Sequence, residues 1–266
     1  MNIIVCIKQV PDTTNVKINP ETNTLIREGV SSIINPFDMY AIEEGLRLKE
    51  KFGGKVTVIS LGPPQSINAL KEAVGMGTDE AVQLSDRAFA GSDSWATAYT
   101  LSLAIKKMGE FDIILCGKQA IDGDTGQVGP GLASQLGITQ LTYVFKIVRL
   151  DPGTGTIAVE RLLEEGREIV EAKLPALLTV VKNINQPRST SLFHIRRASQ
   201  LIIPTWTVAD LPGADPSSLG LKGSPTQVIK IFSPPKREGA LDLIKADGAE
   251  EAAAILADKI IAEKIL

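Results

Sequence analysis

Histidine is almost missing from this chain. Among 266 residues there is one, His194, and a single imidazole cannot build a zinc centre. Cysteine is equally scarce. Cys6 and Cys116 each lie inside an apolar run, which suggests neither a disulfide framework nor a metal cluster. No stretch reaches the roughly 18 apolar residues needed to span a membrane. The opening Met1–Ile7 is too short and too β-branched to resemble a secretory signal. With reduced cysteines, the expected location is therefore cytoplasmic. A net charge of −3 leaves no basic surplus, so nucleic acid is not an expected partner. Aromatic residues are only 5% of the chain and acid–base side chains are sparse. That poverty leaves open whether the chain is an enzyme in its own right, and favours chemistry carried by a bound cofactor.

What the chain does have is a repeating pattern of strand and helix. Ile3–Ile7 is a continuous apolar run suited to a strand buried on both faces. Segments 15–18 and 24–26 alternate around Asn19-Pro20 and Asn23 like a hairpin. Asn35-Pro36-Phe37-Asp38 then opens a helix: Asn35 suits the N-cap, Pro36 the first position, and Asp38 the positive end of the dipole. Met39, Ile42 and Leu46 mark its buried side, and Gly53-Gly54 ends it. A strand at Val56–Leu61, a helix over about 65–74, a strand at Ala81–Leu84, and a helix capped by Ser92 or Ser94 and burying Ala96, Tyr99 and Leu103 follow. A strand at Asp112–Cys116 leads through a glycine-rich loop into a helix ending near Leu136. Alternation of this kind predicts a doubly wound parallel α/β sheet, Rossmann-like, with helices on both faces.

The texture changes after about Thr142. Thr142–Leu150 and Thr156–Leu162 alternate as a small antiparallel segment, and Pro175–Val181 reads as a buried strand. From Asn183 the chain reads as loops, then as an extended arm from about Ala209 to Gly239. A last helix, about Ala249–Lys264, carries Ala253, Leu256 and Ile260 on one face. The expected division is 1–208, an adenine-nucleotide-binding domain, and 209–266, a C-terminal arm and helix. An arm that long buries its own apolar residues poorly and is expected to lie on this domain's flank or on another chain.

The strongest chemical signal is the loop from Gly117 to Pro130. It follows a buried strand, holds Gly117, Gly123, Gly126 and Gly129, and enters a helix. Glycines let backbone amides approach an anion, and the helix N-terminus adds a favourable dipole. Ligands of open parallel sheets sit beyond the carboxyl ends of strands. Cys6, Asn35–Asp38, Leu61 and this loop all fall at such ends. The alternative is a long glycine-rich surface turn. Neither GxxxxGK[ST] nor GxGxxG is present, and no Ser-Gly-Gly phosphate loop follows the first strand, which speaks against an ATP pyrophosphatase. Asp122-Gly-Asp124 is an incomplete calcium loop: Gly126 and Ala133 stand where oxygen ligands belong.

Three further segments invite a role. Val159–Thr179 reads as a charged hairpin and a buried strand. In Asn185–His194 a polar stretch turns abruptly apolar, so Leu192-Phe193 either anchors a partner or tucks back into the domain. Arg87, in the loop 85–93 after a strand, either pairs with a dinucleotide phosphate or is simply solvated.

Val159–Thr179 resembles the signature of electron-transfer flavoprotein β subunits, through Val159, Arg161, Glu164, Glu165, Gly166, Glu168, Val170, Pro175, Leu177, Leu178 and Thr179. The likeness extends to Val5–Asp12, Asn35-Pro36-Phe37 and Gly117–Asp122, and over the whole length. It implies a heterodimer with an α subunit that holds a mobile FAD domain. It carries nucleotide-site roles onto Cys6, Asn35, Pro36, Phe37, Asp38, Leu61, Gly117, Lys118, Gln119, Ala120, Ile121, Asp122, Gly123, Asp124, Thr125, Gly126, Gln127 and Val128. It also implies a recognition loop at about 180–202 with Leu192, beside Phe193, as the leucine that docks a dehydrogenase. The arm would lie against the α subunit.

Two branches of that family differ at this loop. Members that carry AMP have Asn and Thr at the positions of Gly126 and Val128. The run Asp122–Pro130, with Ser85–Gly91, is similar instead to the electron-bifurcating branch of anaerobes, where the β subunit holds FAD and NADH docks beside it. That implies hydride from NADH. One electron would pass through the α-subunit FAD to an acyl-CoA or lactate-type dehydrogenase, the other to ferredoxin or flavodoxin. NADH oxidation would then belong to the heterodimer or a larger complex, not to this chain alone. The alternatives are a non-bifurcating carrier with structural AMP and, from another class, a free-standing adenine-nucleotide-binding sensor.

Overall fold

The computed structural model describes residues 1–12, 17–18, 25–26, 31–229 and 242–263. Its strands and helices are β1 (Asn2–Cys6), β2 (Gln9–Pro11), β3 (Lys17–Ile18), β4 (Leu25–Ile26), β5 (Ser32–Ile34), α1 (Pro36–Phe52), β6 (Lys55–Leu61), α2 (Ile67–Met76), β7 (Glu80–Leu84), α3 (Ser94–Met108), β8 (Ile113–Gly117) and α4 (Val128–Leu136). They continue through β9 (Thr139–Asp151), β10 (Thr156–Leu163), β11 (Gly166–Lys173), β12 (Ala176–Val180), α5 (Leu192–Gln200), β13 (Thr205–Trp206) and α6 (Ala249–Ala262).

Nine strands form one sheet in the order β11-β10-β9-β12-β8-β1-β6-β7-β13. From β9 to β13 every neighbouring pair is parallel, while β10 is antiparallel to both β9 and β11. The expected mixed α/β architecture is therefore present, with its antiparallel part at one edge. Burial follows the period-2 pleat. Ile3 and Val5 of β1 join a core with Ile42 and Leu46 of α1, Leu70 of α2, and Leu115 and Leu178. Ile4 and Cys6 point the other way, into a core with Leu101 and Ile105 of α3, Leu132 of α4, Cys116 and Leu177. A sheet packed on both faces needs unbroken apolar strands, which is why Ile3–Ile7 and 113–116 carry no polar residue.

Several expectations need adjusting. Asn35 sits at the N-cap position of α1, but its side chain does not cap the helix. The cap of α3 is Asp93, whose Oδ1 accepts from the amides of Trp95 and Ala96 at 3.0 Å each; Ser92 and Ser94 do not serve. Tyr99 and Leu103 are only half-buried, packed against the core that Ala98 joins, while Ala96 is buried. α2 begins at Ile67 behind a tight turn, Pro64–Ser66, and runs on to Met76. β9 begins at Thr139, earlier than the alternation suggests. Its first residues pair in parallel with β12 and its later ones antiparallel with β10, so one strand serves two kinds of ladder.

The stretch around Leu192 is not wholly loop. α5 runs from Leu192 to Gln200 and packs on α2, with Ser191 as its N-cap accepting from the amide of His194 at 3.2 Å. Of the hairpin read at 15–18 and 24–26, Lys17-Ile18 and Leu25-Ile26 do pair antiparallel; Asn15, Val16 and Thr24 lie outside the described residues.

The chain divides into two compact units, Met1–Lys230 and Ile231–Leu266. Within the first, Leu211 and Leu219, from the stretch read as an arm, are buried. In the second, α6 has no buried residue, and Leu256 and Ile261 stand exposed. Gly239 and Lys264, read as limits of the arm and last helix, lie outside the described residues.

Candidate functional site

The sheet changes direction of winding at β1 and β8: β1 leads outward to β6 and β7, whereas β8 leads to β12 and β9. A crevice opens beyond the carboxyl ends of strands at such a point. Cys6 ends β1 directly beside Cys116 of β8. The Cys116 thiol is pushed well above its ordinary value, first by its hydrogen bond with Cys6 and then by burial.

Two side chains from the start of α1 bind the rim of this crevice. Asp38 lies buried, and its Oδ2 accepts the amide of Lys8 at 2.7 Å while Oδ1 accepts the amide of Gly117 at 3.1 Å. Asn35 donates through Nδ2 to the carbonyl of Gln119 at 2.8 Å and accepts through Oδ1 from the amide of Ile121 at 3.1 Å. The asparagine is thus spent on the neighbouring loop, which explains why it does not cap its own helix. Burial pushes the Asp38 carboxyl up to about 7, against the opposing pull of Asn35, the two amides and the Lys8 ammonium.

The glycine-rich loop is organised by a few further bonds. The Lys8 ammonium meets Asp122 at 2.6 Å. Gln119 and Asp124 are joined side chain to side chain, and the Asp124 amide donates to the carbonyl of Ala120 at 2.8 Å. Asp124 and Gly126 both take left-handed backbone, φ 58° and 63°. Thr125 Oγ1 accepts from Ser94 Oγ at 3.2 Å, bringing the start of α3 to the loop. The loop delivers the chain to α4, whose N-terminus has no side-chain cap. Helix entries of that kind leave free amides and a positive dipole end facing outward, the usual seat of a phosphate.

Glycine is required at three of these positions for different reasons. At Gly117 a Cβ would lie 2.3 Å from Asp38 Oδ1 and 2.7 Å from the Phe37 backbone. At Gly129 it would lie 2.5 Å from Thr179 Cγ2. At Gly126 there is space, and the need is the positive φ. The carboxylates of Asp122 and Asp124 are already engaged, and among the described residues no cluster could hold a metal ion. Backbone donors at a helix entry, with nearby acids paired off, fit a diphosphate.

The predicted residues are mostly gathered here: Cys6, Asn35, Pro36, Phe37, Asp38 and Gly117–Val128 share one rim. Leu61 ends β6, one strand from β1. Arg87 does not join them by any bond among the described residues. It sits exposed in the turn Arg87–Phe89 beyond β7, two strands from β1. Leu192 and Phe193 are 87% and 75% exposed, away from the crevice at the start of α5. Lys8 and Ser94 escaped sequence reasoning. Lys8 follows the first strand by two residues and lies within the Val5–Asp12 likeness, a position that could have been suspected; Ser94 was read only as a helix cap. Two surface hollows also lie elsewhere. One of about 480 Å³ is lined by α1 and β9 residues such as Glu44, Phe52 and Ile147. The other, about 730 Å³, lies at the amino ends of β1, β6 and β7 near Lys107 and Trp206.

Residues 22–211 match the family described as the electron transfer flavoprotein domain. The chain is 55% identical over 235 residues to the electron transfer flavoprotein subunit beta of Thermoanaerobacterium thermosaccharolyticum, covering 88% of each chain. It is 46% identical to that of Megasphaera elsdenii over the full length of both. It is 45% identical to protein FixA of Bradyrhizobium diazoefficiens, covering 98% of this chain and 91% of the relative. Such identity extends over both compact units, not merely the nine-stranded sheet. No helix among the described residues is long and apolar enough to cross a membrane. The chain belongs to the electron transfer flavoprotein family, as an electron-transferring β-subunit or FixA-type member whose counterpart is an α subunit.

Proposed function

We propose that this subunit holds FAD across the crevice between β1 and β8, with NADH delivering hydride there. The two electrons then part, one through the FAD of the α subunit to an acyl-CoA or lactate-type dehydrogenase, the other to ferredoxin or flavodoxin. The observation that carries this reading is the loop from Asp122 to Val128, where a left-handed Gly126 leads into an uncapped helix. A dinucleotide has two phosphates to satisfy and needs more backbone donors and more room than AMP. Gly126 and Val128 give that room, because neither carries a polar cap of its own.

When bound, the flavin supplies the step from two-electron to one-electron chemistry, and the chain supplies its setting. Amides around 125–129 would hold the diphosphate. Asn35 fixes the carbonyl of Gln119 and the amide of Ile121, and so the wall of the crevice. The buried side chains of Cys6 and Cys116 form an apolar floor that would exclude water. The exposed Leu192 and Phe193, at the capped start of α5, offer the apolar anchor for a dehydrogenase. The uncovered apolar residues of α6 suit the α subunit. The reducing interior of an anaerobic cell fits two buried free thiols.

Counting cofactors in purified heterodimer tests the reading. Two FAD per heterodimer, with NADH oxidation, is the expected result. One FAD and one AMP, with no NADH oxidation, would establish the non-bifurcating carrier instead. The relatives are subunits throughout most of this chain's length, which leaves the free-standing sensor without support.

A further inference from the structure

We propose that Asp38 is a positioning residue, whose carboxylate clamps the carboxyl ends of β1 and β8 together and makes the crevice's grip on a dinucleotide depend on proton occupancy. This rests on the reading that FAD binds in that crevice.

The geometry is that of a staple. Asp38 belongs to α1, yet one carboxyl oxygen takes the amide of Lys8, just past β1, and the other takes the amide of Gly117, the last residue of β8. Both acceptor oxygens are used, and the side chain is buried at 6% exposure, so it is unavailable to touch a ligand itself. The sequence resemblance placed Asp38 among nucleotide-binding residues; the structure gives it an indirect part. Gly117 has no side chain because that oxygen occupies its place.

An ionised carboxylate can satisfy both amides. A protonated one must use one oxygen as a hydroxyl, and one of the two amides then loses a full partner. The ends of β1 and β8 are then free to spread, and the loop from Lys118 moves with Gly117. Burial places the titration of this group near neutrality, at about 7. The Asn35 side chain and the Lys8 ammonium pull this carboxyl down, and burial outweighs them. The Lys8 ammonium is paired with Asp122, and Cys6 and Cys116 lie side by side beneath it, the Cys116 thiol held protonated. Among the described residues, no other charged side chain bonds to the Asp38 carboxyl.

The test uses heterodimer already carrying the α-subunit flavin, titrated with FAD and followed by flavin fluorescence between pH 6 and 8. FAD has no phosphate that titrates in this range, so the protein's own proton is read. The dissociation constant of the wild type should rise about tenfold from pH 8 to pH 6, the change that one group titrating near 7 produces. Asp38→Asn, which offers one acceptor and one misplaced donor, should bind more weakly at pH 8 and show a flat profile. A second readout needs no ligand. A raised carboxyl favours the folded state when protonated, so wild-type stability should fall as pH climbs from about 4 through 7, and the Asn variant should lack that slope. If FAD binds wild type with the same affinity at both pH values, or if Asp38→Asn binds more tightly, the clamp is wrong while the FAD site stands. If no second FAD binds at any pH, the FAD site itself is refuted, and the clamp with it.

Discussion

Gly129→Ala is the sharpest test of how the glycine-rich loop is held. The added methyl would stand 2.5 Å from Thr179 Cγ2, with Leu177 Cδ2 at 3.4 Å and Cys116 Cβ at 3.9 Å. Ordinary carbon contact needs about 3.5–4.0 Å, so the methyl arrives roughly 1 Å too close. Thr179 cannot simply rotate. It is 2% exposed, and its Oγ1 accepts the amide of Tyr143 at 3.1 Å where β12 and β9 slip register. The strain therefore falls on the entry of α4, which has to lift from β12. Overpacking of this kind costs about 1–3 kcal/mol. Alanine's better helix propensity returns at most about 1 kcal/mol, so loss of stability wins. Urea unfolding of the heterodimer should show that deficit, and dinucleotide occupancy should drop with it, because residues 125–128 ride on the displaced helix. Thr179→Ser removes Cγ2 and keeps the hydroxyl, so Gly129→Ala combined with Thr179→Ser should regain most of the loss. Additive losses in the double variant, or a Gly129→Ala protein as stable as wild type, would refute the steric reasoning.

Leu192→Ala should slow electron transfer to the dehydrogenase about tenfold or more, as loss of an interface anchor does. Flavin content and melting temperature should be unchanged, since Leu192 is 87% exposed; unaltered transfer kinetics would remove the docking role. Gly126→Val should cost about 1–2 kcal/mol, because a branched residue is forced to φ 63°, and occupancy of the crevice should fall in equilibrium dialysis. Gly126→Asn should retain the fold, since Asn tolerates that backbone. Asp93→Ala should lower stability by about 1–2 kcal/mol at pH 7, because the same carboxylate caps α3 and accepts both the amide and hydroxyl of Thr226. Burial raises that carboxyl, but its four hydrogen bonds outweigh burial and hold it below the usual range. The difference from wild type should therefore shrink as acid protonates the wild-type group, which melting curves between pH 7 and pH 3 would check.

The parallel sheet was legible because a strand buried on both faces must be apolar without interruption, and Ile3–Ile7 and 113–116 are. The glycine-rich loop was legible as a loop because four glycines in 13 residues after such a strand break regular structure. What was not legible depended on contacts between distant residues. Nothing local says that Asn35 will bond Gln119 and Ile121, 84 and 86 residues on, in place of its own helix. Ser92, Asp93 and Ser94 are each good cap formers, and packing of Ser224 and Thr226 against Asp93 makes the choice. α5 was hidden because it is short, follows directly on the Pro- and Ser-containing stretch 187–191, and buries only Ala198.

Three contacts behind that helix fasten its approach to α1. Arg188 is held by Glu43 at 2.8 Å and by Glu50 at 2.5 Å, and Asn185 donates to Glu44 at 2.9 Å, so the approach to α5 is pinned to α1 by three acids on one side of a single helix. Whatever meets Leu192 and Phe193 meets a surface whose backbone is already in place. Little conformational freedom remains to be lost on contact, so a small apolar patch suffices for recognition. With few bonds to unmake, a partner docked there would also leave quickly.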